Sequence, residues 1–268
     1  MLTTVADIID IVHSIAPIGL AESWDNVGLM LGDPSSQVTG LMLGLDPVEG
    51  LLDEAISLGA NVIITHHPVI FRPLKFIDIG KPEGAFIARA LKEKINIISC
   101  HTNLDSAAHG VNDVLADALG LQKIRSLVPS SFVDDKRVGM GRIGEYDQPL
   151  SSDEFVARVK QVCGLESLFS AGKPVGDITS VAVCGGSGSD LAVTAQNAGA
   201  QVYVTSEVKH SVARWAEQAN FWILDAGHFS TENPVISSLA RMLRQRFKET
   251  EMEQIVGESQ QRAPFFLI

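Results

Sequence analysis

Short runs of β-branched and aliphatic residues alternate along this chain with stretches whose apolar positions recur every three or four residues. The runs at residues 38–45, 61–65 and 95–99 predict strands, and the spacing of Val5, Ile8, Ile9 and Val12 predicts an amphipathic first helix. Asp46-Pro47-Val48-Glu49 reads as a helix start, with an Asp cap, Pro at the first position and Glu three residues after the cap. That helix is expected to stop at Gly59, a residue suited to the left-handed C-terminal cap. Further helices are predicted over residues 82–94 and 111–119, the latter closing at Gly120. Residues 129–136, with Ser130, Ser131, Asp134 and Asp135, form a turn-rich connection into a second unit. This unit opens with residues 137–143, followed by a helix capped by Ser151 with Glu154 in the box position. Strand and helix alternating throughout predict an α/β fold.

An internal repeat divides the chain further. A shift of 140 positions lays Thr39 on Thr179, Leu51 on Leu191 and Ala55 on Ala195. The same shift lays Gly59-Ala60 on Gly199-Ala200, Val62 on Val202 and Thr65 on Thr205. Each copy is strand, helix, glycine stop, strand. Convergence of β-α-β units could yield such a pattern, but several positions agreeing in register favour duplication. The expected architecture is therefore two similar α/β domains, the first of residues 1–127 with 226–268, the second of residues 128–225. The copies diverge where chemistry would sit: His66-His67-Pro68 in the first stands opposite Ser206-Glu207-Val208 in the second.

Composition narrows the possibilities. With 268 residues and 46 % hydrophobic content the chain can bury a large core, which excludes disorder and low complexity. A net charge of −11 argues against nucleic acid as a partner, and a polyanionic substrate would need positive charge from another source, such as a bound metal. Three cysteines without CxxC spacing argue against a disulfide framework and a thiolate zinc site. The N-terminal segment carries Asp7 and Asp10 and lacks a basic region, so it reads as a helix rather than a signal peptide. With no long apolar run, no membrane span is expected, and the location expected is the cytoplasm.

Three strand ends then concentrate imidazoles and carboxylates: His66 and His67 after one, His101 and Asp105 after another, His228 and Glu232 after a third. The carboxyl ends of strands in open α/β sheets are where ligands bind. Imidazole with carboxylate, without thiolate, suits zinc, manganese, iron or nickel. Adjacent histidines point to opposite sides of a regular strand, so at a strand end each can serve one of two neighbouring ions, with Asp105 or Glu232 as a bridge. Each pair alone also has a structural reading, Asp105 as a turn or helix cap for instance. His13 and His109 read as structural, and His210 stays open. Gly185-Gly186-Ser187-Gly188 lacks GxGxxG spacing and reads as a tight strand-to-helix turn rather than a phosphate cradle. Trp24-Asp25-Asn26 could be a turn with a core plug or a pocket lining. The apolar tail Pro264-Phe265-Phe266-Leu267-Ile268 is expected to pack in the core or at a subunit contact.

Four segments in this order, SWDNVGLMLGDP at 23–34, ITHHPVIF at 64–71, HTNLD at 101–105 and DAGHFSTE at 225–232, resemble the GTP cyclohydrolase 1 type 2 homologue family, the Nif-three-like dinuclear metal-centre proteins. The resemblance runs from residue 3 to about 250 and implies a ring-shaped homohexamer of two-domain α/β chains. It implies two divalent metal ions per chain, with His66, His67, Asp105, His228 and Glu232 as ligands. His101 would be an outer group or proton carrier, the candidate catalytic residue. A nucleotide or other small phosphorylated substrate is implied, with hydrolytic opening of the GTP guanine ring as the named reaction. A phosphoester or pyrophosphate hydrolase and a non-catalytic metal-binding scaffold or chaperone are the alternatives. The segment between Leu127 and Ile178 has no room for the domain inserted in longer members. Thr205-Ser206-Glu207-Val208-Lys209-His210-Ser211 departs from the family's TGD loop, and the proposed ligands lie outside it.

Overall fold

A computed structural model describes residues 3–130, 135 and 137–266 of the chain. It has a mixed α/β architecture in two compact units, one taking the chain to Leu104 together with Ile236–Arg262, the other Asp105–Val235 and the residues after Arg262. In chain order the first unit carries β1 (Gly28–Leu31), β2 (Leu41–Gly44), β3 (Val62–Thr65) and β4 (Asn96–Ser99). The second carries β5 (Gln122–Pro129), β6 (Gly139–Leu150), β7 (Phe169–Ala171), β8 (Ile178–Val183), β9 (Val202–Thr205) and β10 (Trp222–Asp225). Strand β11 (Val256–Glu258) returns to the first sheet.

The first sheet has the order β1-β4-β3-β2-β11, parallel except where β1 pairs with β4. Its central strands read LMLG, VIIT and NIIS and are buried at every position. Apolar strand centres, here flanked by the buried polar residues Thr65, Asn96 and Ser99, are what a parallel sheet covered on both faces requires. Leu51, Leu52 and Ala55 of helix Glu49–Leu58 and Phe86, Ile87 and Ala90 of helix Pro82–Lys92 pack into this core. The second sheet has the order β5-β6-β8-β9-β10-β7, with a parallel centre of β8, β9 and β10. Its core includes Phe155 and Val159 of helix Ser152–Cys163 against Trp222 and Leu224. Every side-chain nitrogen of the fully buried Arg142 has an acceptor. Its Nε donates to Asp113 Oδ1 at 2.6 Å, and its Nη atoms donate to the carbonyls of Gly139, Gly141 and Ala107. A buried ion pair of this kind holds only because its remaining donors are met.

Several local expectations hold. The first helix, Val5–Ile15, buries Val5, Ile8 and Val12, although Ile11 and Ile15 go under with them while Ile9 stays half-buried. Gly59 caps its helix at φ +74°, and Ser151 and Glu154 form a reciprocal capping box. Others need correction. The strand expected from residue 38 begins at Leu41. The helix expected at Asp46 begins at Glu49 with Val48 at the cap position and no side-chain cap, because Asp46 is engaged elsewhere. Residues 122–129, to which periodicity assigns no element, form β5, antiparallel to β6. Phe265 and Phe266 are 89 % and 84 % exposed, so this part of the tail stays out of the chain's own core. Leu267, Ile268, Ser131 and Asp134 lie outside the described residues.

The 140-residue shift finds its counterpart in the backbone. It lays β3, Val62–Thr65, on β9, Val202–Thr205, residue for residue, and all four positions are buried in both. Gly59 and Gly199 both take positive φ, +74° and +91°. Ala60 N donates to Ala55 O, and Ala200 N to Ala195 O. Thr39 N donates to Asn61 Oδ1 at 2.9 Å, and Thr179 N to Gln201 Oε1 at 2.7 Å.

Candidate metal centre

In the first unit, parallel pairing brings three loop starts to one sheet edge. Thr65 stands opposite Gly44 on one side and Ser99 on the other, so residues 45–46, 66–67 and 100–101 leave the sheet together. Backbone bonds prolong the register past the strands: His66 N to Gly44 O, His67 N to Leu45 O, Cys100 N to Thr65 O. The rings of His66, His67 and His101 consequently cluster, with centroids 4.9, 5.2 and 5.6 Å apart. One ligand atom from each of the three lies within 4.8 Å of the others.

What orients each ring is its Nδ1. In buried His66 that atom is 2.9 Å from the Cys100 carbonyl. A carbonyl can only accept, so Nδ1 carries the proton and Nε2 the lone pair. His67 Nδ1 donates to Asp46 Oδ1 at 2.7 Å and His101 Nδ1 to Asp25 Oδ1 at 2.8 Å. Both carboxylates are anchored. Gln261 accepts from the N–H groups of Leu45 and Asp46 and donates to the Asp46 carbonyl, which fixes that loop. Asp25, its side chain fully buried, also accepts from Thr102 N and Thr102 Oγ1. Burial alone would raise its pKa, but the hydrogen bonds from His101 and Thr102 outweigh that and hold the carboxyl far below the usual carboxylate range. Asp25 is therefore a permanent anion behind His101.

The second unit repeats the device once. Strand β10 ends at Asp225, whose carboxylate accepts from Gly227 N and Val208 N. The chain turns at Gly227, φ +75°, into the short helix His228–Glu232. Residues four apart on a helix share a face, and His228 Nε2 lies 2.9 Å from Glu232 Oε2. On its other side His228 Nδ1 lies 2.9 Å from Glu207 Oε1. With the Nδ1 proton directed at Glu207, two lone-pair acceptors face each other at Nε2 and Oε2. Such a contact is favourable only with a cation shared there, a second ring proton or a metal ion. Glu232 is almost fully buried. The glycine loop makes room for it, because a Cβ on Gly186 (φ +64°) would come within 1.9 Å of Glu232 Oε1. Gly186 N donates to Thr231 Oγ1 and Gly185 N to Asn112 Oδ1, so these loop donors are used inside the protein. Asn112 Nδ2 in turn donates to the carbonyl of buried Asp105.

Of the residues expected at the site, His66, His67 and His101 thus come together within the first unit, and His228 and Glu232 within the second. Asp105 lies buried in the short helix Thr102–Ser106. Asp46, Glu207 and Gly186 carry no local sequence signal of a place beside the rings, whereas Asp25 falls in the Trp24-Asp25-Asn26 segment that reads as a turn or a pocket lining. Burial pushes the Cys163 thiol up to about 11 and, with the nearby Asp105 charge added, the Cys184 thiol up to about 12, which disfavours the thiolate form of both. Imidazoles locked through Nδ1, with buried carboxylates, are the donor chemistry a divalent first-row ion requires. These observations define a mixed α/β protein with histidine- and carboxylate-rich candidate metal clusters.

Comparison with known proteins gives the family. Residues 3–263 match Duf34/NIF3 (NGG1p interacting factor 3). A "GTP cyclohydrolase 1 type 2 homolog" of Clostridium perfringens is 34 % identical over 262 residues, 98 % of each chain. A namesake from Clostridium acetobutylicum is 35 % identical, covering 91 % of this chain and 90 % of its own. Among solved structures, the Staphylococcus aureus hypothetical protein SA1388 superposes with a TM-score of 0.93 at 29 % identity, covering 100 % of both chains. The chain belongs to the Duf34/NIF3 family. Among the described residues no helix is long and apolar enough to cross a membrane.

Proposed function

We propose that this protein is a dinuclear metal-dependent hydrolase acting on GTP or another nucleotide, with His66, His67, Asp105, His228 and Glu232 holding two divalent ions, zinc, manganese, iron or nickel. The observation that carries the reading is the treatment of the imidazoles. Each of His66, His67, His101 and His228 gives its Nδ1 to a carbonyl or carboxylate, which makes Nε2 the ligand atom in His66, His67 and His228 and the proton acceptor in His101. The names of the Clostridium relatives support the nucleotide as substrate class.

Bound ions of this kind supply Lewis acidity and a nucleophile available at neutral pH. The chain's own residues do the rest. Asp46 and Glu207 hold the rings of His67 and His228 and raise their basicity as ligands. His101 takes a proton at Nε2 and releases it again, and the anionic Asp25 at its Nδ1 stabilises the charged ring meanwhile. Burial of His66 and Glu232 keeps bulk water from competing for these atoms. We also propose the ring-shaped homohexamer and a cytoplasmic location, in line with the family resemblance; sedimentation of the purified chain tests the first.

The test is turnover with product identification, comparing metal-loaded protein, chelated protein and Asp105→Ala on a nucleotide panel that includes GTP. Formate and a ring-opened product that appear only with metal support the ring-opening reaction. Phosphate without formate moves the assignment to phosphoester hydrolysis. Two tightly held ions with no turnover overturn the hydrolase reading in favour of a scaffold.

A further inference from the structure

Trp24 is an aromatic side chain held in place without being buried. On one side Asp25 is bound to His101 and Thr102, with its N–H on Glu22 O. On the other, Asn26 Nδ2 donates to the Ile70 carbonyl at 2.6 Å. Glu22 N adds a bond to Thr102 Oγ1. The chain around Trp24 is thus fixed by five hydrogen bonds, yet the residue is 60 % exposed. Core plugging, one reading of its sequence position, is excluded by that exposure. A pinned, solvent-facing aromatic presents contact area at little further entropy cost.

Its neighbours indicate what it faces. Trp24 and Phe71 meet edge to face at 5.9 Å, and both approach the His101 ring, at 6.3 and 6.0 Å. The aromatic pair therefore borders the imidazole cluster directly. Beyond Phe71, itself 41 % exposed, the loop continues with Arg72 and Lys75, both exposed and making no ion pair among the described residues. On a chain with net charge −11, two cations of one loop without carboxylate partners among the described residues suit an anionic ligand.

We propose that the loops carrying Trp24 and Phe71–Lys75 form a nucleotide-reading subsite, in which the base ring stacks on the aromatic pair beside His101 and the phosphates meet Arg72 and Lys75. This inference rests on the nucleotide hydrolase reading and refines it: the heterocycle, rather than the phosphate chain, lies next to the imidazoles. Aromatic stacking accepts any base, so the subsite supplies affinity and placement without strong base selectivity.

The two halves separate experimentally. Titration calorimetry of the full-length protein, metal-loaded and chelated, would use guanosine, adenosine and GTP as probes. Trp24→Ala is expected to weaken all three by about tenfold, with most of the affinity kept in Trp24→Phe. Arg72→Ala/Lys75→Ala is expected to weaken GTP by about tenfold at low salt and leave the nucleosides unchanged. Nucleoside binding that Trp24→Ala leaves intact overturns the proposal, as does the absence of any nucleoside binding by the wild type. A change of oligomeric state in Trp24→Ala with unchanged binding also overturns it, by assigning the aromatic face to a contact between copies. Because the readout is equilibrium binding, the subsite can stand when no turnover is found, and it can fall while metal-dependent hydrolysis persists.

Discussion

The two β-α-β segments related by the 140-residue shift share their frame and differ at the strand ends. In both, a glycine at positive φ stops the helix and a four-residue buried strand follows. In both, an amide side chain just before that strand accepts the N–H of a threonine, Asn61 for Thr39 and Gln201 for Thr179. The loops that leave these strands are not alike. Position 67 is a histidine held by the carboxylate of Asp46. The matching position 207 is a glutamate that itself holds a histidine, His228. Position 46 projects the carboxylate, whereas the matching position 186 is a glycine whose missing side chain leaves space for Glu232. The frame accommodates a proposed ligand at one strand end and the support of another proposed ligand at the other, so the fold alone does not define the chemistry.

The largest effects should come from changes that break this division of roles. His67→Ala removes a proposed ligand from a ring cluster at the sheet edge. Metal content measured by elemental analysis and turnover should both fall by more than ~100-fold, beyond the range typical of outer groups, with the circular dichroism spectrum retained. Loss of neither would make His67 a structural residue like its counterpart.

Gly186→Ala probes the opposite end. The new Cβ meets Glu232 Oε1 at 1.9 Å on backbone at φ +64°. Backbone strain and overpacking together should cost about 2–4 kcal/mol, read as a lowered midpoint in denaturant. Metal affinity should fall as well, because Glu232 must move. An unchanged midpoint would mean that the glycine is there for the turn alone.

Asp46→Asn and Glu207→Gln compare the two supporting carboxylates directly. Each keeps an oxygen for the imidazole Nδ1 and removes the negative charge. Metal affinity in competition with a chelator should weaken by about 10- to 100-fold in each case. Glu207 is the more exposed of the two, so its effect should be the smaller and the more sensitive to salt. It also sits at φ +53°, an uncommon conformation for a glutamate. Equal insensitivity of both variants would break the parallel between His67 and His228.

Much of this was legible in the sequence because it depends on local pattern. Buried parallel strands read as continuous apolar runs, glycine stops follow from φ, and histidines directly after such runs must emerge at a sheet edge. The supports were harder to read for a physical reason. Asp46 satisfies every local criterion for a helix cap, and only the pairing of β2 with β3 brings it to His67. Asp25 precedes His101 by 76 residues, a separation at which no periodicity operates. Glu207 did carry a signal, since the repeat places it opposite His67, but its meaning depended on where His228 lay. Arg142 and its buried partner Asp113 gave no signal, as each looks like an ordinary surface charge until β6 and the helix Val111–Ala118 pack together.

The smallest expected effect tests the frame itself. If the two segments are equivalent below the strand ends, Asn61→Ala and Gln201→Ala should each destabilise the protein through the same lost contact. Asn61 accepts from Thr39 N and donates to the Gln37 carbonyl. Gln201 accepts from Thr179 N, Thr179 Oγ1 and Ser180 N and donates to the Asp177 carbonyl. Net values of about 0.5–1.5 kcal/mol per hydrogen bond, reduced by the exposure of these groups, place both variants near 1 kcal/mol, with Gln201→Ala the larger. Neither should alter metal content, since both lie at the strand starts, away from the edge that carries the histidines. Equal costs with unchanged metal would extend the correspondence from backbone geometry to energetics. A cost confined to one segment would show that the shared pattern does not bear the same load in both.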